Sequence, residues 1–380
     1  MPFINDRMAA NESERLDRQA LAAERDLANV PNPYDVTKTQ GSRFGFDLAA
    51  IDAHLAEEII GQHEARALIC ETLELALADI GDPRRPLATC LFLGPTGVGK
   101  TEIVRALARA LHGDADALCR VDMNTLSQEH YAASLTGAPP GYVGSKEGST
   151  VFDQDLLEGR AGRPGLVLFD ELEKASPEVI LALLNIFDNG LMTVASGGKT
   201  YSFRKAIIFM TSNLGTKAIY GAQTATLKER IGRLVSGQSY RTAGEIAENE
   251  LLNRFPPEFV NRIDRVQIFN PLRVTQAHEL IGAEIRRINK RLERRGVQLI
   301  LSEPAIEQLR EKGFDQKFGA RDLKRELRKA IEIPLARHIV ACEGKFSPAG
   351  QTVWLRAVPL NGVMSFDTIK DRPYRSANDD

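Results

Sequence analysis

Four cysteines, one tryptophan, six histidines and a net charge of -2 leave little room for several kinds of chemistry. Cys70, Cys90, Cys119 and Cys342 are scattered, without a CxxC pair or a nearby His at ligand spacing. That pattern excludes a zinc ribbon or a disulfide framework and predicts buried free thiols. Aromatic residues make up 6% of the chain, too few for a base-stacking surface. The 49 Lys and Arg balance 51 Asp and Glu, so no global field draws the chain to a phosphate backbone or an anionic lipid. No apolar run approaches the ~18 residues of a membrane span. The opening MPFINDRMAANESERLDRQ lacks the basic flank and apolar stretch of a secretory signal. The expected location is the cytoplasm, with neither nucleic acid nor membrane among the expected partners.

What remains is the profile of an ordinary globular protein. At 380 residues, 43% hydrophobic and 26% charged, the chain holds two or three domains at ~100–200 residues each. Residues 1–45 read as an N-terminal arm and linker. Leu16, Ala20 and Leu27 fall at loosely helical spacing, and Val30-Pro31-Asn32-Pro33-Tyr34 breaks the pattern. Residues 46–270 read as a large domain. It begins with a helical face of Ala65, Leu68, Ile69, Leu73, Ala76, Leu77 and Ile80, ended by Gly81-Asp82-Pro83. Apolar runs at 90–93, 118–121, 166–169, 206–210 and 266–269 are short and separated by helix-length segments. That is the pattern of parallel strands buried on both faces, hence a doubly wound α/β core. Residues 271–370 read as a smaller α+β domain with a helix over 276–295, a strand over 297–301, a helix capped by Ser302, and a long helix from 320 to about 342. A strand pair at 353–357 and 363–366 follows, joined through Asn361-Gly362. Residues 371–380 read as a loose tail.

The chemistry concentrates at strand ends. Gly94-Pro95-Thr96-Gly97-Val98-Gly99-Lys100-Thr101 fits GxxxxGK[ST] between a strand and a helix, the context the motif requires. Glycines let backbone N–H groups curl around phosphate oxygens at a helix N-terminus. Lys100 adds a point charge on the outer phosphates, and the Thr101 hydroxyl is suited to ligate Mg²⁺. About 70 residues later the run 166–169 ends in Asp170-Glu171. Alone, such a pair is a solvated strand end. Beside a phosphate loop, Asp170 reads as a holder of Mg²⁺ and Glu171 as the group that orients and deprotonates an attacking water. Run 206–210 ends in Thr211-Ser212-Asn213, which places an amide at a third strand end, although Asn alone is only a turn former. Spacing gives no role to Arg262 or Arg321. The loop Gly137-Ala138-Pro139-Pro140-Gly141-Tyr142-Val143-Gly144 suits either a turn with a locally packed Tyr or a gripping loop, and its chemistry does not choose.

The order of these motifs resembles the C-terminal ATPase module of the Clp-type AAA+ protein unfoldases and disaggregases, over about Ile59 to Ala357. The matching stretches are Ile60-Gly61-Gln62, 91–101, 137–144, 168–175, 210–215, 258–264 and 319–325. The resemblance implies an AAA+ P-loop NTPase with the smaller domain as a lid, and ATP and Mg²⁺ as cofactors. It implies that Ile59 and Ile60 line the adenine pocket, that Asn213 senses the γ-phosphate, and that Arg321 senses it from the lid. Arg262 would be the arginine finger reaching a neighbouring subunit's ATP, where such a residue is worth ~10³–10⁵ in rate by analogy with GTPases. A homo-oligomeric, hexameric ring follows, with Tyr142 and Val143 in its pore gripping a polypeptide substrate and residues 195–199 as a second pore loop. The implied function is ATP-driven unfolding or remodelling of proteins by threading.

Departures qualify this picture. About 50 residues precede the module, so a single ring is expected and classical two-ring disaggregation is not. Phe255-Pro256-Pro257-Glu258-Phe259 loses an Arg that the family carries, with Arg254 near and Arg262 kept; Gly148-Ser149 replaces a Gly-Gly, and Ser202 an Asp. Between Asn213 and Arg254 the nearest match to a peptidase-docking Ile-Gly-Phe is Ile231-Gly232-Arg233, which carries a charge where an apolar anchor is needed, so no Clp peptidase partner is expected. The rival expectation is an ATP-switched assembly module that acts on one dedicated partner without threading. The six basic residues at 286, 287, 290, 291, 294 and 295 read as a solvated helix face.

Overall fold

The computed structural model describes residues 42–126, 152–160, 162–193, 199–216, 243–313, 319–342, 352–360 and 362–369. In chain order the large lobe runs α1 (Leu48–Glu58), α2 (His63–Ala78), β1 (Ala88–Leu93), α3 (Lys100–His112), β2 (Cys119–Asp122), α4 (Gln154–Glu158), β3 (Gly165–Asp170) and α5 (Pro177–Asn189). It continues through β4 (Leu191–Thr193), β5 (Thr200–Ser202), β6 (Ala206–Ser212), α6 (Ala243–Arg254), α7 (Pro257–Val260) and β7 (Arg265–Ile268). Five of these strands form a parallel sheet in the order β2-β3-β6-β1-β7. Every residue of β1, β3 and β6 is buried, which is why their sequences show no polar alternation. Leu91, Val167, Phe169 and Met210 face α5 and α6, while Cys90, Phe92, Leu168 and Phe209 face α1, α2 and α3.

The apolar runs therefore form the doubly wound sheet expected, with exceptions of physical origin. β7 is an edge strand, with Arg265 and Val266 exposed, so it is not buried on both faces. Ile80 leaves the α2 face and is 76% exposed, because Asp79 ends the helix in a left-handed turn that directs the chain outward. Phe44 and Phe46 are buried in the sheet's core, and a fork from Arg43 to Asp79 pins their approach. The antiparallel hairpin β4-β5 is an addition that no run signalled; it seats Met192 and Tyr201 in the core. None of the four cysteines is in a disulfide; Cys90 and Cys119 are buried and Cys70 and Cys342 half-buried.

The small lobe comprises α8 (Ala277–Leu292), β8 (Val297–Leu301), α9 (Glu303–Gly313), α10 (Ala320–Leu327), α11 (Ile333–Ala341), β9 (Val353–Leu360) and β10 (Val363–Ile369). β9 pairs antiparallel with β10 and parallel with β8. The helices bury Ile281, Leu309, Leu323 and Ile331 against Leu299 and Leu355. The single long helix expected from 320 is interrupted by a π-helical stretch, Arg328–Glu332. Pro334 at the start of α11 has no N–H to give and crowds the preceding turn, and the wider turn accommodates it. The Ser302 hydroxyl donates to the Ala357 carbonyl of β9, so it ties helix to sheet.

Candidate functional site

The phosphate loop leaves β1 at Gly94, whose φ of 146° and whose fit are both selective. A Cβ there would sit 2.7 Å from the Phe269 carbonyl. The loop closes on Gly99, left-handed, at the start of α3. Lys100 is 8% exposed, and its ammonium donates to the carbonyls of Gly94 and Pro95 and, at 2.9 Å, to Asn213 Oδ1. Burial pushes its pKa down to about 8, against the pull of Glu173, Asp170 and Glu171, and Arg321 pushes it the same way as burial. The loop thus holds a desolvated cation among neutral oxygens, an arrangement an anion would complete.

Three strand ends meet beside it. Asp170, 7% exposed at the end of β3, accepts from the hydroxyls of Thr101, at 3.2 Å, and Thr211, and from the Arg120 guanidinium at 2.6 Å. Thr101 and Asp170 offer the hard oxygen donors that Mg²⁺ takes, already within one hydrogen bond of each other, so these residues fit that ion. Glu171 follows in the left-handed region, φ 58° and ψ 50°, a conformation that costs a non-glycine residue about 1–2 kcal/mol. Its N–H donates to Thr211 Oγ1 at 3.1 Å, so one hydroxyl ties together the backbone of Glu171 and the carboxylate of Asp170. Asn213 bridges Lys100 and Glu173, donating to Glu173 Oε1 at 3.1 Å. Arg254 braces the same turn by donating to the carbonyls of Glu173 and Ala175.

These groups border a cleft of about 380 Å³ between the lobes, a volume suited to a small ligand. Thr96, Gly97, Val98, Gly99, Lys100 and Thr101 form its floor, with Asp170, Glu171 and Asn213 at one end. The apolar part of the lining comes from Ile59, Ile60 and Val98 of the large lobe and Leu272, Leu280 and Ala283 of the small one. Arg321 enters from the first turn of α10. Pro95 meets the site through the carbonyl that Lys100 holds. Arg262 does not line this cleft; its guanidinium pairs with Asp188 at 2.6 Å, and both are partly exposed. Tyr142, Val143, the residues 195–198 and Ile231-Gly232-Arg233 lie outside the described residues.

The lobes are stitched together around the cleft. The Ala320 N–H donates to the Gly97 carbonyl at 3.0 Å, which joins the lid to the phosphate loop directly. Gly319 makes that approach possible: its φ is 56°, and a Cβ would lie 2.8 Å from the Gly97 oxygen. Within the large lobe, the buried Gln62 amide donates to the carbonyls of Val98 and Asn270 and accepts from the Asn270 N–H, which braces the phosphate loop where the chain leaves for the small lobe. Arg287 of α8 pairs with Glu58 at 3.3 Å and Glu102 at 2.8 Å in the large lobe and with Glu284 at 2.9 Å in its own helix. Two residues of the basic face expected to be solvated therefore reach the large lobe, Arg287 as a clamp and Arg286 through the Glu57 carbonyl at 3.4 Å. Lys324 joins the same group, 3.3 Å from Glu284.

Arg120, Thr211 and Arg287 line the cleft without sequence reasoning having given them a role there. Each is a common residue type with no spacing signal, and only the sheet register or the lobe contact brings it to the cleft.

Residues 85–266 match the model of an AAA domain of the Cdc48 subfamily, and residues 272–355 match the C-terminal D2-small domain of ClpB protein. An ATP-dependent protease ATP-binding subunit-like protein, AmiB, of Pseudomonas aeruginosa is 49% identical over 344 residues, 90% of this chain and 93% of its own. A similarly named protein of Rhodococcus erythropolis is 42% identical over 77% of this chain and 83% of its own. The chaperone protein ClpB of Aquifex aeolicus is 40% identical over 78% of this chain, which spans only 29% of that relative. Among solved structures, the Saccharomyces cerevisiae Hsp104:casein complex in its extended conformation matches with TM-score 0.67 and 30% identity, covering 84% of this chain and 52% of that one.

Proposed function

The chain belongs to the Clp-type AAA+ ATPases, and from that premise we propose that it assembles into a single hexameric ring that spends Mg²⁺-ATP on pulling polypeptide through a central pore. The observation that carries the reading is the junction of lid and phosphate loop, Ala320 N–H to the Gly97 carbonyl. Anything that moves the nucleotide's phosphates moves the lid, and rigid-body motion of lobes is how such a site does mechanical work.

Within the site, Lys100 and the loop amides bind the phosphates, and the apolar lining of Ile59, Ile60 and Leu280 receives the base. Thr101 and Asp170 would hold Mg²⁺, which, when bound, neutralises charge on the outer phosphates. Glu171 orients the attacking water and takes its proton, its backbone fixed by Thr211. Asn213 senses whether the outer phosphate is present, a role its bonds to both Lys100 and Glu173 support. Arg321 reads the same phosphates from the lid. Arg262, outside its own chain's cleft, serves the neighbouring subunit's ATP, and Tyr142 with Val143 grips substrate. Ile231-Gly232-Arg233 is a poor peptidase anchor, so the ring is proposed to work without a Clp peptidase.

The test is steady-state ATP hydrolysis with and without casein, an unfolded polypeptide, on wild type and Tyr142→Ala. Threading predicts that casein accelerates wild type and not Tyr142→Ala, while both retain basal hydrolysis. Hydrolysis indifferent to casein in both proteins overturns threading and favours the one-partner switch.

A further inference from the structure

We propose that Arg120 is a stand-in cation on Asp170: its guanidinium neutralises the carboxylate in this structure and has to be displaced when Mg²⁺ enters with nucleotide. The inference rests on the reading that Asp170 holds the metal. Both oxygens of Asp170 are engaged, Oδ1 by the Thr101 and Thr211 hydroxyls and Oδ2 by Arg120 at 2.6 Å. Sheet register places Asp122 directly opposite Asp170, which sets a second carboxylate beside the first. Asp122 is exposed, but Asp170 is buried, and a buried carboxylate requires a counter-charge; Arg120 is a cation bonded to it.

Arg120 also has somewhere to go. It reaches Asp170 from a solvent-facing position of β2, and its side chain is 49% exposed, with Asp170 the side chain it is bonded to among the described residues. It lines the nucleotide cleft on one side and, on the other, a second cavity of about 280 Å³ whose wall includes Asp116 and Asp153. Asp116, paired with Arg105 at 2.8 Å through one oxygen, and Asp153, which caps α4 through one oxygen, each keep a second carboxylate oxygen that offers the guanidinium another seat once the metal has taken Asp170. Arg120 is then a positioning residue that sets how strongly metal and nucleotide binding are coupled: by neutralising Asp170 when the metal is absent, it narrows the gap in affinity between metal-bound and metal-free nucleotide.

The experiment measures ADP affinity of the full chain with Mg²⁺ and with EDTA, in wild type, Arg120→Gln, Arg120→Lys and Asp170→Asn. The ratio of the two affinities isolates the metal's contribution and cancels any long-range pull of Arg120 on phosphate. Arg120→Gln is expected to raise the ratio about three- to tenfold, the scale of one half-exposed charge-assisted hydrogen bond, with Arg120→Lys between it and wild type. An unchanged ratio, with ADP weaker in both conditions, overturns the proposal and makes Arg120 a direct phosphate contact. If Asp170→Asn keeps the wild-type ratio, the assignment of the metal to Asp170 falls and the proposal with it. If Asp170→Asn loses the ratio while both Arg120 variants stay at the wild-type value, the role of Arg120 alone is refuted.

Discussion

Nucleotide binding should take up a proton, and the amount follows from Lys100. Its ammonium is buried against neutral oxygens, and its pKa falls to about 8 from an ordinary 10.5. Bound phosphate supplies the missing counter-charge and returns the pKa toward its ordinary value. The charged form then predominates in the complex up to about pH 10, while the free protein is half deprotonated near pH 8. Linkage gives uptake of about half a proton per nucleotide at pH 8 and about nine-tenths at pH 9, with affinity falling about twofold by pH 8 and about tenfold by pH 9 relative to pH 7. Titration calorimetry of ADP in buffers of different ionisation enthalpy reads the proton count directly, and working above pH 7.5 keeps the phosphate's own titration out of the signal. Stability has its own sign. The unfolded chain binds the Lys100 proton more tightly, so the free protein gains stability from this group as pH rises from 8 to 10.5, by about 3 kcal/mol at most. Affinity that is flat from pH 7.5 to 9.5, or proton release on binding, would refute the assignment of Lys100 as an uncompensated cation awaiting phosphate.

Three further outcomes follow from the same geometry. Glu171→Gln should lower ATP hydrolysis by ~10²–10⁴ with nucleotide affinity within about twofold of wild type. Glu171→Gly, equally inactive, should melt above Glu171→Gln by about 1 kcal/mol, because glycine tolerates the φ of 58°; an unchanged rate or a reversed order of melting argues against each half. Gly319→Ala brings a Cβ 2.8 Å from the Gly97 oxygen and should cost about 1–3 kcal/mol and weaken ADP binding. Wild-type ADP affinity in a destabilised Gly319→Ala would uncouple lid from loop. Arg287→Met strips the cation from Glu58, Glu102 and Glu284 and should cost about 1–3 kcal/mol in thermal unfolding. That deficit should shrink as salt is raised.

How far the sequence could be read depended on whether the information was local. The loop from Gly94 to Thr101 declares itself because strand, glycines, Lys and helix are contiguous, and Asp170-Glu171 because a buried strand ends in acids. β1, β3 and β6 are legible because the middle of a central parallel strand is apolar on both faces, with polar residues such as Thr89, Asp170 and Thr211 confined to the ends. Arg120 was not legible, since its meaning comes from lying across the sheet from the end of β3, a register that depends on a crossover. Arg287 was read as solvated for the same reason: on its own helix it belongs to a basic stripe, and only the large lobe's Glu58 and Glu102 make it a clamp. The interruption at Arg328–Glu332 was hidden because Pro334 sits among strong helix formers, and Ile80 because helical spacing continues past a left-handed Asp79 that sequence does not announce.

The helix α5 has a mechanical consequence. It begins six residues after Glu171, and at its far end the Gly190 carbonyl accepts from Phe203 N–H, which fastens it to the base of the β4-β5 hairpin. At 1.5 Å per residue its 13 residues make a strut of about 20 Å. A tilt of about 10° at the Glu171 end would swing the hairpin end by about 3.5 Å, close to the length of one residue of extended chain. The turn at Glu171 and the base of the β4-β5 hairpin are thus opposite ends of one strut, so a small tilt at the first would be felt at the second as a displacement of about one residue's length.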